Sequence, residues 1–154
     1  MTPGALPLRH VSAPVWRIVA KTQIRTPASP ALAPQGRFHH TGQIATYASL
    51  SAEGARVAIR RYLNDGQARM MVPMQLTADR VADFRGDPSA SIVWQDICAA
   101  GDPSPTWTYS DAARAAGAQA MLYSSRSRPE LSHVVVFQPD CLTPAGSPVA
   151  FDDC

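Results

Sequence analysis

The chain has 154 residues, a hydrophobic fraction of 45% and a formal net charge of +2, and this length suits one domain that folds without disulfide or metal support. The small, evenly spread charge argues against a nucleic-acid-binding surface, and no segment reaches the ~18 consecutive apolar residues of a membrane span. The three cysteines are an odd number without metal-like spacing, and the first residues lack a secretion signal, so we expect one domain over residues 1–154 in the cytoplasm.

An irregular arm precedes the first predicted element, because prolines recur over residues 1–14. Apolar and β-branched residues then predict strands over residues 15–20 and 44–49. Further prolines interrupt the stretch between these strands, which we expect to be a loop.

The first predicted helix covers residues 52–63, with Ser51 as its N-cap. Its apolar residues recur at helical spacing, and they place Ala55 and Ala58 on the face toward the sheet. A glycine in the turn over residues 64–66 is expected to end this helix.

Short strands and helices alternate irregularly in the second half of the chain. Residues 69–76 predict a strand, at an edge or a bulge because Pro73 cannot donate to a ladder. The later predicted elements are helices over residues 91–100 and 111–116, the second capped by Ser110 and stopped at Gly117, and strands over residues 121–123 and 133–137. Such alternation predicts an α+β fold, a mixed, twisted sheet with flanking short helices, with its core over about residues 15–138.

Arginine, histidine and tyrosine residues gather before and within the second predicted strand. Glycines bound the stretch 36–42, which contains Arg37, His39 and His40, and Tyr47 follows in the strand. The guanidinium group of arginine is a rigid fork of donors that matches a diphosphate, although a surface arginine and a core tyrosine would also explain the pattern. The adjacent histidines point to opposite faces of an extended chain without a carboxylate or cysteine cluster, so we predict no metal site.

Two more positions could carry chemistry. Arg17 lies inside an apolar strand, where a charged residue must either face solvent or be paired. Ser125 stands where a strand should end, and its hydroxyl could bond a ribose or phosphate oxygen or simply stabilise a turn. Alternation along the strand places Ser124 and Ser125 on opposite faces, so we predict that only one of the two is functional.

Taken in their order, these motifs resemble the RES family, the toxin half of a bacterial toxin–antitoxin pair. The resemblance covers roughly residues 15–138. The matching positions are residues 16–18, 36–39 and 122–126, with Gly42, Tyr47 and Gly117 between them and the apolar strand 133–137 after them.

The resemblance implies a split-sheet fold like that of ADP-ribosyltransferases, with NAD as the substrate and cleavage of its nicotinamide–ribose bond. It implies that Arg17 and Arg37 hold the diphosphate or ribose, that Tyr47 orients the nicotinamide, and that Ser125 contacts the ribose. His39 stands where the family has asparagine and would also lie against the NAD.

One position departs from the family in a way that matters for catalysis. The family glutamate is absent, because Ala58 occupies its place eleven residues after Tyr47. The nearest carboxylate is Glu53 in the first turn of the same helix, which faces about 140° away from position 58. Glu53 therefore joins Arg37, Tyr47 and Ser125 as a catalytic candidate, and interaction with the helix dipole is the simpler explanation for it.

Three functions remain open on the sequence. The first is a toxin that transfers ADP-ribose from NAD to a cellular protein and is blocked by a cognate antitoxin, with an NAD glycohydrolase or phosphorylase as a variant of it. The second is a degenerate RES domain that binds NAD or a partner without catalysis, which Ala58 favours. The third is an unrelated small α+β binding module in which the motif order arises by chance.

Overall fold

The computed structural model describes residues 6–31, 36–40, 42–59, 68–87, 90 and 106–150. The helix expected over residues 91–100 and the turn expected over residues 64–66 lie outside these described residues.

Strands dominate the part of the chain that the structure describes. The strands are β1 (Arg9–Ala20), β2 (Thr46–Ser49), β3 (Arg69–Asp83), β4 (Ala120–Ser124), β5 (Ser132–Val136), β6 (Leu142–Pro144) and β7 (Val149–Ala150). The helices are α1 (Ala52–Ile59) and α2 (Trp107–Ala115), with short 3-10 turns at Lys21–Gln23 and Pro139–Cys141.

These strands form one mixed sheet in the order β1-β2-β5-β4-β3-β6, and β7 pairs with β3. The β3–β4 pair is parallel, whereas the other pairs are antiparallel. β1 also pairs along its length with β3, so the pairings from β1 through β2, β5, β4 and β3 close into a ring. The predicted α+β fold with a mixed sheet is confirmed.

The two longest strands differ most from the prediction. β1 begins at Arg9, so the expectation of an irregular arm up to residue 14 was wrong for its second half. Within the described residues, β2 pairs with β1 only at Trp16. At Pro14, β1 is therefore paired on one side only, with β3. Proline is tolerated there because no ladder donor is required on the open side.

Pro73 was expected at a sheet edge or a bulge, but it lies inside β3, which has partner strands along both of its sides. It stands opposite Trp16 of β1. On the other side it falls between Met71, which pairs with β7, and Met74, which pairs with β6. The missing proline donor therefore coincides with a gap between two short partner strands.

Helix α1 begins as expected, but its exposed surface differs from the prediction. Ser51 Oγ accepts a hydrogen bond of 2.9 Å from Gly54 N, which confirms the predicted N-cap. Gly54, Ala55 and Val57 are buried, whereas Ala58 is exposed. The prediction that Ala58 faces the sheet was wrong, because the described residues cover that side of the helix only at its first turn.

Helix α2 begins at Trp107, three residues before the predicted cap. Ser110 lies inside the helix, where its buried hydroxyl donates to Trp107 O at 3.3 Å, so it is not an N-cap. The expected end at Gly117 is confirmed, since Gly117 follows the last turn with a φ of 87°.

Two apolar clusters occupy the two faces of the sheet. The first draws buried residues from every strand of the ring and so fills its interior; among them are Val15, Ala48, Val72, Leu122 and Val134. The second lies on the outer face of β2, β5 and β4 and includes Phe38, Ala113, Met121, Tyr123, Val135 and Phe137. The segment that follows residue 35 and helix α2 supply its cover, and most of the predicted site residues lie there.

Candidate functional site

The outer face of strands β2, β5 and β4 carries a row of polar and aromatic side chains. Across the three strands, Ser49 of β2 pairs with His133 of β5, and His133 pairs with Tyr123 of β4. Two residues earlier in β2, Tyr47 pairs with Val135 of β5. Residues in register share a face, so Tyr47, Ser49, Tyr123 and His133 all project to the same side. The strands expected over residues 44–49, 121–123 and 133–137 therefore meet at one surface.

A tight turn over residues 36–39 lies against this row. Gly36 N donates to His39 O at 2.9 Å and closes the turn. Tyr47 Oη accepts from Phe38 N at 3.0 Å and lies 2.7 Å from His39 Nδ1. Burial raises the pKa of Tyr47, so its hydroxyl stays protonated. Tyr47 thus holds the turn through two hydrogen bonds.

Helix α2 holds the same turn from the other side. Side-chain donors at its start and in its last turn bind backbone carbonyl groups of the turn and of the segment after it. These bonds are Trp107 Nε1 to Gly36 O (2.8 Å), Thr106 Oγ1 to Arg37 O, Arg114 Nη1 to Phe38 O (2.8 Å) and Arg114 Nη2 to Ile44 O (2.9 Å). A turn that is bound on both sides presents its own side chains in fixed positions.

Arg37 projects from the turn over the ring of Tyr123, with its guanidinium carbon 5.8 Å from the ring centroid. Its Nε is buried and has no hydrogen-bond partner within the described residues. A buried donor without an acceptor costs about 1–3 kcal/mol, so most such groups in native proteins have a partner. Arg37 therefore offers a buried, charged donor to an anionic or polar ligand.

His133 lies beside Arg37 and Tyr123 in the same row. Its Nδ1 is 2.7 Å from Ser49 Oγ, and its ring centroid is 5.5 Å from that of Tyr123. Burial, and then the positive charge of Arg37, lower the pKa of His133 to about 4. The imidazole is consequently neutral at physiological pH.

The end of β4 and the start of α1 meet next to this row. Ser125 is buried, and its Oγ accepts from Arg128 N at 3.3 Å. The guanidinium group of Arg128 donates to Glu53 Oε1 at 2.9 Å. Ser124 Oγ, by contrast, accepts from Gly86 N at 2.9 Å. The structure thus links Ser125 and Glu53 through Arg128 and gives Ser124 a different neighbour.

Because the family resemblance implies NAD as the substrate, we expect Ser125→Ala to lower NAD turnover and Ser124→Ala to leave it near the wild-type rate. The reason is that Tyr123 and Ser125 are two residues apart and share the outer face, whereas the side chain of Ser124 points to the opposite face. Loss of one hydroxyl contact corresponds to about three- to tenfold in rate. Turnover of both purified variants checks this expectation, and equal losses would contradict it.

Arg17 is not part of this arrangement. Trp16 is in register with Ser49, so Trp16 shares the outer face and Arg17 points into the ring interior. Arg17 Nη1 donates to Pro27 O at 2.6 Å and to Ser29 O at 2.7 Å. Burial lowers its pKa to about 10, which still leaves it charged at neutral pH. The structure brings the other predicted site residues toward one face and leaves Arg17 on the opposite one.

The two adjacent histidines have separate partners, His39 at Tyr47 and His40 at Asp111, which lies 3.0 Å from His40 Nε2. No group of at least three His, Cys, Asp or Glu residues suited to a metal ion occurs in the described ranges. Within the same ranges, no helix is both long and apolar enough to cross a membrane.

Sequence reasoning missed several residues that build this face. They are Ser49, Trp107, Arg114 and His133, which bind the turn or one another. Their contacts join positions far apart in the chain, and local patterns carry no information on them. One usable signal in the sequence was His133, a histidine near the start of a strand that is otherwise apolar and β-branched.

Comparison with known proteins identifies the family. The RES domain family model matches residues 14–152, which is most of the chain. No curated protein matches the chain at a significant level. A chain of the crystal structure of the M. tuberculosis MbcT–MbcA toxin–antitoxin complex is similar in fold, with a TM-score of 0.59 and 16% identity over 94% of this chain and 84% of that chain. The resemblance seen in the sequence motifs is confirmed, and the chain belongs to the RES domain family.

Proposed function

We propose that this protein is the toxin of a toxin–antitoxin pair and that it consumes NAD by cleaving the nicotinamide–ribose bond. In this proposal ADP-ribose passes to a cellular protein, as in ADP-ribosyltransferases, and a cognate antitoxin protein blocks the site. Membership of the RES domain family supports the proposal, as does the fold shared with a structure described as a toxin–antitoxin complex. The reaction would take place in the cytoplasm.

The observation that carries the proposal is the buried Nε of Arg37 without a hydrogen-bond partner in the described part of the chain. A permanently charged, planar donor group next to a tyrosine ring suits a diphosphate, which accepts charge-assisted hydrogen bonds. NAD combines a diphosphate with flat rings and ribose hydroxyls. The outer face would take Arg37 at the diphosphate, His39 and Tyr47 at the nicotinamide end and Ser125 at a ribose.

The chemistry also needs groups that tolerate positive charge. Cleavage of the nicotinamide–ribose bond passes through a state with positive charge on the ribose, which fixed dipoles or an anion stabilise. The protonated hydroxyl of Tyr47 and the hydroxyl of Ser125 would supply dipoles. Glu53 would supply the anion, held at the strand end by Arg128.

Glu53→Gln tests that role, and we expect it to lower NAD turnover about tenfold or more with little change in melting temperature. The Glu53–Arg128 pair is exposed, with 59% of the Glu53 side chain accessible, and exposed pairs contribute little to stability. An anion near the developing charge stabilises the transition state more than the ground state.

Ala58→Glu is the matched control, because it adds an exposed carboxylate later in the same helix. We expect it to leave turnover unchanged, since Ala58 does not face the sheet. Full activity of Glu53→Gln would show that Glu53 has no catalytic role and only interacts favourably with the dipole of α1.

The second candidate function is an NAD-binding or partner-binding domain without catalysis, favoured by the alanine at position 58 and its exposure. One reaction separates the possibilities: the protein is incubated with NAD, with and without inorganic phosphate and cell extract, and products are identified by mass spectrometry. Modified protein indicates a transferase, free ADP-ribose a glycohydrolase, and phosphorylated ADP-ribose a phosphorylase. Binding of NAD without any product would support the second candidate, and absence of NAD binding would narrow that candidate to a partner-binding domain. An unrelated binding module is excluded, because the chain belongs to the RES domain family.

A further inference from the structure

His133 has two ring nitrogens with different surroundings. Nδ1 is 2.7 Å from Ser49 Oγ, whereas Nε2 makes no hydrogen bond within the described residues. The whole residue is 5% exposed, and Ser49 is 2% exposed. Nε2 is not among the described atoms that are both fully buried and without a partner. It therefore keeps at least a small accessible area, and a polar ring nitrogen without a partner in a largely buried residue is a group that a ligand can satisfy.

The neighbours of His133 are the residues already assigned to the site. The ring centroid of Tyr123 is 5.5 Å away, and the Arg37 guanidinium carbon is 5.8 Å from the same centroid. The positive charge of Arg37 acts on the imidazole and helps to keep it neutral. Arg37, Tyr123 and His133 thus form one contiguous cluster next to Ser49.

We propose that His133 contacts the substrate, with its Nε2 hydrogen-bonded to a ribose hydroxyl of NAD and its ring held in place by Ser49. This inference rests on the proposed function. A neutral imidazole nitrogen acts either as donor or as acceptor, and a hydroxyl group can take the complementary role in both cases. The hydrogen bond at Nδ1 fixes how the ring is oriented, and the Ser49 hydroxyl can donate or accept it.

The division of labour between Arg37 and His133 follows from their charges. Arg37 is always charged and suits the diphosphate. A neutral group is suited to the ribose, because the bond cleavage places positive charge there and a second cation would oppose it. His133 is the neutral polar residue that lies next to Arg37 in the row with Ser49 and Tyr123.

Two amide substitutions separate a substrate contact from a structural role. In His133→Asn the amide occupies roughly the place of Nδ1, so the bond to Ser49 can persist while the Nε2 contact is lost. In His133→Gln the longer side chain brings its amide to roughly the place of Nε2. Ser49→Ala is the third variant, which removes the Nδ1 bond and leaves the imidazole.

We expect His133→Asn to keep the wild-type melting temperature and to lose about tenfold in kcat/KM for NAD, with His133→Gln recovering most of that loss. Ser49→Ala should lose less in kcat/KM than His133→Asn does. Melting temperature and NAD turnover are measured for all three variants beside the wild type. If both His133 variants prove unstable, the imidazole signals of His133 in the wild-type protein are followed by NMR on addition of NAD, and signals that do not shift while NAD binds overturn the contact.

The remaining outcomes are also decisive. Wild-type turnover in His133→Asn would overturn the substrate contact while leaving the proposed function intact. Equal losses of turnover and stability in both amide variants would make His133 a structural residue and overturn the contact as well. A wild-type protein that neither binds nor consumes NAD would overturn the proposed function itself.

Discussion

Arg37→Ala should lower NAD consumption about tenfold or more and abolish growth inhibition while leaving the melting temperature nearly unchanged. The side chain makes no hydrogen bond through its buried Nε in the described residues, so its removal breaks no such bond in the folded protein. A bidentate, charge-assisted contact to a diphosphate is worth about 1.5–3 kcal/mol, which corresponds to tenfold to a hundredfold in kcat/KM. NAD turnover of the purified variant and the growth of cells that express it check this result.

Two further arginine variants give this test its controls. Arg37→Lys keeps the charge but lacks the planar fork, so we expect it to recover only part of the activity. Arg25→Ala removes an exposed charge from the segment next to the Arg17 contacts and should behave like the wild type. Unchanged growth inhibition by Arg37→Ala would overturn the assignment of Arg37.

Gly36→Ala should lower both stability and turnover, and turnover by more than the loss of folded protein explains. A Cβ at Gly36 would lie 2.4 Å from His39 Cε1, 2.7 Å from His39 Nδ1 and 2.9 Å from Tyr47 Oη. Such overpacking costs about 1–3 kcal/mol, or about 2–4 °C of melting temperature per kcal/mol for a domain of this size. The turn must move to accept the methyl group, and Arg37 moves with it.

Gly86→Ala is the matched control for this effect. Gly86 has a φ of 86°, so alanine is strained there, but a Cβ would meet nothing within 4 Å. We expect a loss of about 1 kcal/mol in stability and full turnover per folded molecule. If Gly36→Ala matched Gly86→Ala in specific activity, the close packing of the turn on His39 and Tyr47 would have no part in function.

Local sequence patterns predicted part of the outer face of the site. Alternation placed Ser125 apart from Ser124, and the glycine-bounded stretch with Arg37 contains the tight turn over residues 36–39. The Ser51 cap and the Gly117 helix end were also predicted, because caps depend on one residue and its immediate neighbours. These features need information from only a few consecutive positions.

Features that depend on distant pairing could not be predicted in the same way. Arg17 points into the ring because Trp16 is in register with Ser49, and a shift of one residue would have reversed both faces. The exposure of Ala58 depends on how far the sheet extends under α1. Helical periodicity gives no information on that extent. The contact of His133 with Ser49 likewise exists only after the strands have paired.

The pairing of Ser49 with His133 joins residues 84 positions apart in the chain. During synthesis on the ribosome, Arg37 and Tyr47 leave the exit tunnel long before β4 and β5 exist. A nascent chain of this protein therefore holds no complete site until β4 and β5 have emerged, and closing so long a loop is a slow step in folding. Any activity that needs both halves of the outer face is delayed until these strands have paired, when a binding partner can already meet the newly folded protein.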